Sequence, residues 1–271
     1  MVCRQGVDDL EESIALGIDI GGTGIKAAHV DVAAGKLVSP RERVRTPRPA
    51  TPESVGAAIK GLALAASRPH AGIAGMGFPG VIRLGTACTA PNLGKRWIGV
   101  NVEQLGEAAI GRPTAVVNDA DAAGLAEARF GAARGVAGLV VLITLGTGIG
   151  TALMFDGKLV PNSELGHIKL RGKDAERRAA ASVRERKGLS WSKWAAAVEE
   201  YIAALDRLLW PDLVVIGGGV SAEPGRFIPL IKVRPPVVPA VLGNDAGIIG
   251  AALWGWDTLG ATERAEPPTD L

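Results

Sequence analysis

Three glycine-rich turns, each directly after an apolar run with strand character, constrain the fold of this 271-residue chain more than any other feature. Glycine has no Cβ, so consecutive backbone N–H groups of such a turn can approach an anion closely. A plain hairpin needs only one or two glycines, and a single turn would leave both interpretations open. Three turns together favour phosphate binding: GGTG at 21–24, GTGIG at 146–150 and GGGVS at 217–221.

Two common nucleotide-binding folds fit these turns poorly. The first turn returns to a strand pattern, whereas a dinucleotide-binding fingerprint opens a helix at that point. The chain also contains no GxxxxGK[ST] phosphate loop. A Rossmann oxidoreductase and a P-loop NTPase are therefore poor candidates.

An internal repeat predicts two lobes. The segment IDIGGTGIKAAHVD…GKLV at 18–38 recurs, with one deletion in the turn and a shorter second loop, as ITLGTGIGTALMFDGKLV at 143–160. Because the chain also exceeds the usual size of one domain, we expect each lobe to open with a strand, a glycine turn and a second strand. The expected organisation is an N-terminal lobe over 14–118 completed by a C-terminal helix at about 246–259, a C-terminal lobe over 119–245, and loose tails at 1–13 and 260–271.

The sequence predicts the start of one helix and the buried face of another. Thr51 and Pro52 have the residue types of an N-cap and a first helical position, and the Ala-rich helix that they begin runs to about Ser67. The segment WSKWAAAVEEYIAALDRLLW carries an apolar stripe at helical spacing, which predicts core packing. The stripe consists of Trp194, Val198, Tyr201, Ile202, Leu205, Leu208 and Leu209.

Polar residues that could do chemistry stand beside the predicted turns and strand ends. Asp19 precedes the first turn, where a carboxylate could hold Mg²⁺ next to a phosphate or could cap the turn. Asp119, after Asn118 at the end of a buried strand, could accept the proton of a hydroxyl that attacks a phosphoryl group, or could be a helix N-cap. Glu164 and His167 could bracket vicinal hydroxyls of a sugar, or could be hydrogen-bonded surface groups.

Composition narrows the class of protein. A net charge of +2, from 30 basic and 28 acidic residues, argues against a general nucleic-acid-binding surface. The apolar runs are too short to cross a bilayer and the mixed, acidic start lacks the pattern of a secretory signal, so we expect a cytoplasmic protein with no membrane partner. Two cysteines, Cys3 and Cys88, allow no disulfide framework. The basic segment 169–187 could be a solvated helix face or a polyanion-binding surface.

The ordered motifs resemble the ROK sugar kinases of the actin-like ATPase superfamily over nearly the entire chain. They are DIGGTGIK, GFPG, PNLGKRWIGV, VVNDADAAG, LGTGIGTAL, ELGH and VVIGGGVS. Within that family the chain is most similar to bacterial kinases that phosphorylate glucose from inorganic polyphosphate, through SELGHIKLRGKDAERRAAASVRERKGLSW and RPPVVPAVLGNDAGIIGAA. The resemblance implies an α/β protein of two actin-like, ribonuclease H-like lobes that close a cleft over glucose.

The resemblance also implies roles for individual residues. Asp119 would be the base for the 6-hydroxyl of glucose, and Asp19 would hold Mg²⁺. Contacts to glucose would come from Gly80, Asn118, Asp119, Glu164, His167 and, through a looser alignment, Glu176. Phosphate would be bound by Gly21, Gly22, Thr23, Gly24, Lys26, Gly146, Thr147 and Gly148, and a nucleotide by Gly217, Gly218 and Gly219. Of these, Lys26 is expected to be structural or peripheral rather than catalytic. A patch for polyphosphate would comprise Lys95, Arg96, Arg171, Lys173, Arg177 and Arg178.

The expected activity is transfer of a phosphoryl group from inorganic polyphosphate, and also from ATP, to the 6-hydroxyl of glucose with Mg²⁺, and the expected assembly is a homodimer. Two departures from the family limit this transfer. The CxCGxxGC zinc motif of many ROK proteins is replaced by IKLRGKDAE, so no zinc can be assigned to His167. Only about 14 residues precede the first strand, too few for the helix-turn-helix domain of ROK repressors, so no nucleic-acid partner is expected.

Two alternatives stay open at this point. One is a strictly ATP-dependent glucokinase or a kinase for another hexose such as mannose. The other is a sugar-sensing protein without catalysis, against which the presence of Asp19 and Asp119 argues.

Overall fold

The computed structural model describes residues 13–66 and 72–263. The chain divides into two units, of which the first runs up to Ala123 and resumes at Gly247, and the second is Gly124–Ala246. The first crossing falls inside a helix, after Ala123, whereas the sequence placed the lobe boundary before that helix. Among the described helices, none combines the length and the apolar character needed to span a bilayer.

The sheet of the first unit is built around the first glycine turn. Its strands are β1 (Ile14–Ile20), β2 (Gly24–Asp31), β3 (Lys36–Leu37), β4 (Glu42–Arg45), β5 (Ala74–Phe78) and β8 (Thr114–Asn118), beside a small pair formed by β6 (Ile82–Arg83) and β7 (Thr86–Ala87). The strand order is β3-β2-β1-β5-β8, and β4 pairs with β2. β1 and β2 form an antiparallel hairpin across the turn, while β5 and β8 add parallel to β1.

The second unit repeats this arrangement. Its sheet contains β9 (Leu139–Leu145), β10 (Ile149–Phe155), β11 (Lys158–Val160), β14 (Leu213–Gly217) and β15 (Val237–Pro239), in the order β11-β10-β9-β14-β15. β9 and β10 form the antiparallel hairpin across the second glycine turn, and β14 and β15 add in parallel. The common strand order and common directions confirm the repeat that the sequence indicated.

The helices of the described residues are α1 (Pro52–Ala65), α2 (Val102–Ile110), α3 (Asp119–Phe130), α4 (Glu176–Ala179), α5 (Ala181–Lys187), α6 (Trp191–Leu209) and α7 (Ala246–Glu263). The start of α1 is confirmed, since the Thr51 hydroxyl accepts a hydrogen bond from the backbone N–H of Ser54. The final helix continues to Glu263, beyond the expected end at about 259. Of the expected N-terminal tail only Ser13 is described, and its carbonyl oxygen accepts a hydrogen bond from the Val32 N–H at 2.9 Å. The rest of both tails lies outside the described residues, as does the predicted end of α1 near Ser67.

Close backbone approach holds α7 against the first sheet. A Cβ on Gly75 of β5 would lie 1.8 Å from the carbonyl oxygen of Ala251, and a Cβ on Gly17 of β1 would lie 2.1 Å from that of Ile248. Both distances are far below van der Waals contact, so only glycine allows this packing.

Large side chains fill the core of the second unit. Trp194, Tyr201 and Leu205 of α6 are fully buried in this core. The prediction for Leu208 is wrong, because that side chain is 69% exposed. Leu209, four residues after Leu205, packs against the core instead and continues the helical stripe.

The basic segment 169–187 is not one helix. It begins with a short antiparallel pair, β12 (Lys169–Leu170) and β13 (Lys173–Asp174), and continues through α4 and α5. The turn of the pair has a positive φ at both Arg171 (50°) and Gly172 (76°).

Candidate active site

An ion pair stands beside the first glycine turn. Asp19 and Lys26 face each other in the β1–β2 hairpin, and the Lys26 Nζ donates a hydrogen bond of 2.9 Å to Asp19 Oδ2. The Asp19 side chain is 17% exposed. A Cβ on Gly247, in the first turn of α7, would lie 3.0 Å from the Asp19 carboxyl carbon. The carboxylate is therefore held between a lysine and the start of a helix.

Hydrogen bonds to its carbonyl oxygens fix the conformation of the first turn. The Gly21 N–H donates to the Gly24 oxygen at 2.9 Å, and the Thr46 hydroxyl donates to the Gly21 oxygen at 2.5 Å. The Arg48 Nη2 donates to the Gly22 oxygen at 3.3 Å. A turn held in this way presents its N–H groups in fixed directions, as an anion-binding loop requires.

Asn118 and Asp119 stand where β8 ends and α3 begins, as predicted. The Asn118 Oδ1 accepts hydrogen bonds from the N–H groups of Ala120 and Asp121, at 2.9 and 3.1 Å. Asn118 therefore caps the helix. The N-cap role that was an alternative for Asp119 thus belongs to its neighbour. Asp119 Oδ1 also accepts a hydrogen bond from the Ala120 N–H, at 2.8 Å.

Gly80 belongs to the same part of the first unit. The Asn118 Nδ2 donates to the Gly80 oxygen at 3.1 Å, so the two residues predicted to contact a sugar contact each other. A Cβ on Gly80 would lie 2.1 Å from the Thr89 oxygen. The requirement for glycine at this position therefore comes from the backbone of the following loop.

The second unit brings the second glycine turn together with Glu176. A Cβ on Gly148 would lie 2.6 Å from Glu176 Oε2, so the carboxylate lies against the turn. The turn is closed by the Gly146 N–H, which donates to the Gly148 oxygen at 3.0 Å. The Ser182 hydroxyl donates to the Thr147 oxygen at 2.7 Å and joins the turn to α5.

His167 is surrounded by three carboxylates in the same unit. Its Nε2 lies 3.6 Å from Glu164 Oε2, and its Nδ1 lies 3.8 Å from Asp174 Oδ2 and 4.0 Å from Glu176 Oε1. The segment that carries His167 packs tightly on β10, since a Cβ on Gly166 would lie 2.3 Å from the Ile149 oxygen. Asp174, which the sequence interpretation missed as a site residue, could have been found as the acid two positions before Glu176.

The carboxylates of this cluster differ in their proton affinity. Burial raises the pKa of Glu164 above its ordinary value; the charge of His167 opposes this rise and Glu176 adds to it. The pKa of Asp174 is lowered, mainly by the hydrogen bond from Lys169, with further lowering by the charges of Lys169, His167 and Arg177. Such an arrangement offers both charged and protonatable oxygens to a polyhydroxyl ligand.

A metal ion could be considered at two places. Ligand atoms of His167, Asp174 and Glu176 lie within 4.8 Å of one another. Lys169 and Arg177 already balance the charge of Asp174, and we assign no metal to this group. Asp19 fits Mg²⁺ better, because the ion pair with Lys26 uses Oδ2 and Mg²⁺ needs only one or two protein carboxylates when phosphates and waters complete its shell.

The third glycine turn lies with the second at one cavity of the second unit. The cavity measures about 390 Å³, and Gly146, Thr147 and Gly219 line it together with Ser182, Arg184 and Trp191. The Arg184 guanidinium stacks on the Trp191 ring, 4.0 Å from its centroid. Gly218 needs glycine, since its φ is +84° and a Cβ would lie 2.5 Å from the Leu145 oxygen. Gly217 ends β14 directly before it.

The predicted polyphosphate patch is distributed over both units. Arg171 and Arg178 both bind Glu200, at 2.7 and 3.0 Å, and Arg177 lies 3.9 Å from Asp174. Lys173 is exposed on β13. Lys95 and Arg96 belong to the first unit, in a short 3₁₀ helix over Lys95–Trp97.

Comparison with known proteins shows which proteins have similar sequences. The ROK family matches residues 15–182. A polyphosphate glucokinase of Mycobacterium tuberculosis is 45% identical over 238 residues, which cover 88% of this chain and 89% of that protein. A glucokinase of Streptomyces coelicolor is 29% identical over 88% of this chain and 96% of that protein.

Solved structures agree in fold. The inorganic polyphosphate/ATP-glucomannokinase of Arthrobacter sp. strain KM superposes with a TM-score of 0.85 at 50% identity, over 89% of this chain and 97% of that one. A ROK family glucokinase of Streptomyces griseus, solved with glucose and AMPPNP, gives a TM-score of 0.75 at 28% identity, over 88% and 98% of the two chains. This protein is therefore a sugar kinase with the two-lobed actin-like ATPase fold. The chain belongs to the ROK family.

Proposed function

We propose that this protein transfers the terminal phosphoryl group of inorganic polyphosphate, and also that of ATP, to the 6-hydroxyl of glucose. The relatives from Mycobacterium tuberculosis and Arthrobacter support both the acceptor and the donor. The observation that most supports catalysis is at the start of α3. There Asn118 caps the helix, so this role does not depend on the neighbouring Asp119.

Asp119 would accept the proton of the attacking hydroxyl. Its place at the end of a parallel strand is where α/β sheets present ligand-binding groups. A carboxylate there raises the nucleophilicity of the hydroxyl as the bond to phosphorus forms. Asn118 and Gly80, which hydrogen-bond each other, would hold Asp119 in position and contact the sugar.

The two glycine turns that follow β1 and β9 would hold the transferred group. The N–H groups of Gly22 and Thr23 in the first turn and of Thr147 in the second can donate to phosphate oxygens, whereas those of Gly21 and Gly146 close their own turns. Their fixed directions favour the charge that develops during transfer. Lys26 would add a positive charge at the edge of the first turn. Mg²⁺, when bound through Asp19, would supply further neutralisation of the donor phosphates.

Glucose would be held by the cluster around His167. Glu164 and Glu176 accept hydrogen bonds from hydroxyls, and His167 can donate or accept. The raised pKa of Glu164 suits a group that faces a neutral sugar, because partial burial disfavours the charged carboxylate.

The remainder of the donor would extend in two directions. The adenosine of ATP would occupy the cavity next to Gly217, Gly218 and Gly219, which is lined by the turns and by Trp191. Polyphosphate would meet the cations of the patch: Lys95, Arg96, Arg171, Lys173, Arg177 and Arg178. A cytoplasmic location and a homodimer are further parts of the proposal, carried over from the sequence interpretation.

A donor and acceptor panel tests the proposal. Pure protein with Mg²⁺ is offered polyphosphate or ATP, each with glucose or mannose, and the sugar 6-phosphate formed is measured. We expect glucose 6-phosphate with both donors. Product with ATP alone would replace the proposal by the strictly ATP-dependent kinase. Binding of glucose without phosphorylation by any donor would replace it by the sugar-binding protein.

Mannose is the acceptor to compare with glucose, because the Arthrobacter relative is described as a glucomannokinase. Equal or faster turnover of mannose would extend the proposal to a second hexose. The Asp119→Asn variant serves as the control in each reaction, since it preserves shape and removes the proposed base.

A further inference from the structure

Strand β4 carries two arginines to the first glycine turn. In the β2–β4 pairing, Arg45 faces Gly24 and Arg43 faces Lys26. Both arginine side chains are exposed. A Cβ on Gly24 would lie 3.0 Å from Arg43 Nε, so the guanidinium lies directly against the turn.

Three more cations come from the segments that follow. Arg48 donates to the Gly22 oxygen at 3.3 Å. Lys95 and Arg96 are held close to the segment that carries Arg48, because the Nε1 of the buried Trp97 donates a hydrogen bond to the Ala50 oxygen at 2.8 Å. These three cations, like those of β4, have exposed side chains. The loop before them also touches the turn, since a Cβ on Gly22 would lie 3.0 Å from the Asn92 Cβ. We call Arg43, Arg45, Arg48, Lys95 and Arg96 the arginine surface.

The arginine surface differs in charge balance from the basic segment of the second unit. Within the described part of the chain, none of its five cations forms a salt bridge, although Arg96 attracts Glu53 at longer range. Arg171 and Arg178 of the second unit share Glu200, and Arg177 lies near Asp174. Unpaired cations gain more from an arriving anion, because no internal pair has to be broken.

We propose that the arginine surface binds the phosphates of a long polyphosphate chain beyond those held by the first glycine turn, and so sets the preference for polyphosphate over ATP. This inference rests on the proposed function and narrows its polyphosphate patch to the first unit, where Arg43, Arg45 and Arg48 join Lys95 and Arg96. A long polyphosphate carries charge along its whole length, whereas ATP ends in a nucleoside after three phosphates. The additional cations therefore favour the long chain selectively, with a strong dependence on salt.

The test compares two triple variants with equal loss of charge. The first is Arg43→Gln, Arg45→Gln, Arg48→Gln. The control is Lys36→Gln, Lys60→Gln, Arg83→Gln, which alters exposed residues of the same unit outside the arginine surface. Binding of end-labelled long-chain polyphosphate is measured by fluorescence anisotropy over a range of salt, and kcat/KM is measured with long-chain polyphosphate, tripolyphosphate and ATP.

For the arginine variant we expect the Kd of long-chain polyphosphate to rise roughly tenfold at low salt, from three exposed charge contacts. The slope of log Kd against log salt should fall by about 3, or about 1 per cation removed. The loss of kcat/KM should be largest with the long chain and smaller with tripolyphosphate and ATP. The control should retain the affinity and slope of the unaltered protein.

An arginine variant that stays within about twofold of the unaltered protein in affinity and salt slope would overturn the inference. An equal loss in the control would do the same, because it would show an effect of overall charge. If Arg171→Gln with Arg178→Gln weakens binding while the arginine variant does not, the track lies in the second unit. Melting temperatures of all variants identify a loss of folding, and Lys95→Gln with Arg96→Gln is then the second variant of the arginine surface.

The binding measurement separates this inference from the proposed function. Polyphosphate that binds through the arginine surface without any phosphorylation of glucose would contradict the proposed function alone. Phosphorylation by polyphosphate with unchanged binding in the arginine variant would contradict the inference alone.

Discussion

The two hairpins that carry the glycine turns share a backbone and differ in charge. In the first unit, Asp19 and Lys26 face each other across β1 and β2. In the second unit, the matching positions are Thr144 and Gly150, which face each other across β9 and β10. Apart from β4, which is added to β2 in the first sheet, strand order and direction are the same in both sheets. One copy therefore carries an ion pair where the other carries a hydroxyl and a hydrogen atom.

This difference indicates that the two repeated units share one backbone but have different chemical roles. Under the proposed function, the backbone of each turn would bind phosphate, because that capacity depends on N–H groups that both copies retain. The groups suited to proton transfer and to a cation, Asp119 and Asp19, belong to the first unit. The groups suited to sugar hydroxyls, around His167, belong to the second.

The largest effect is expected from Asp119→Asn. Loss of a general base lowers turnover by roughly 10²–10⁴. The measurement is kcat for glucose with either donor, and the KM for glucose should change far less. A folded variant with unchanged turnover would remove Asp119 from the chemistry.

Asp19→Asn tests the charged hairpin against the neutral one. Loss of an electrostatic contact to the transferred group lowers kcat by roughly 10²-fold, with a higher Mg²⁺ requirement, because the remaining amide binds the cation poorly. The matched change in the second unit is Thr144→Val, for which we expect kcat within about threefold of the unaltered protein, since no charge is lost. Equal losses in the two variants would show that the hairpins are equivalent in function.

Gly75→Ala tests the packing of the first sheet, where Gly17 and Gly75 pair across β1 and β5, whereas the matching pair in the second sheet is Leu142 and Val215. The new methyl group would overlap the Ala251 oxygen, and the free energy of unfolding should fall by about 1–3 kcal/mol. Gly61→Ala in α1 is the control, because nothing lies within 4 Å of its Cβ position. The control should be stabilised by about 0.4–1 kcal/mol. Urea unfolding measures both, and a fully stable Gly75→Ala protein would contradict the close approach of α7.

Glu164→Gln gives the smallest expected change in stability. Because the folded-state pKa of Glu164 is raised, the folded protein binds the proton more tightly than the unfolded chain, and ionisation opposes folding at neutral pH. The variant should therefore melt on the order of 1 °C higher at pH 7, an effect kept small by partial exposure. This gain should vanish below the unfolded pKa, where both states of Glu164 are protonated. A gain that persists at low pH would assign it to packing.

The two sheets could be predicted from the sequence because their signals are local. Each glycine turn follows a β-rich run, and the repeated Gly-Lys-Leu-Val ending aligns the two hairpins. The position of Asn118 and Asp119 at a strand end also followed from a short apolar run. The exposed Leu208 could not be predicted, because helical spacing alone does not say where a helix extends past its core.

The charge balance of the basic residues is the part that sequence could not supply. Glu200 pairs with Arg171 and Arg178 although it lies more than twenty positions away, on α6. The arginines of β4 reach the first glycine turn only through the pairing of β4 with β2. Both features depend on tertiary contacts between distant segments, which composition and periodicity do not reveal.

Phosphorylation of glucose by polyphosphate is tested most directly by ³¹P NMR on pure protein with glucose, Mg²⁺ and long-chain polyphosphate in the absence of any nucleotide. We expect a glucose 6-phosphate resonance to grow while the polyphosphate chain shortens, and we expect Asp119→Asn to suppress both changes. A spectrum that stays unchanged with polyphosphate, while ATP yields glucose 6-phosphate under the same conditions, would contradict the use of polyphosphate as donor.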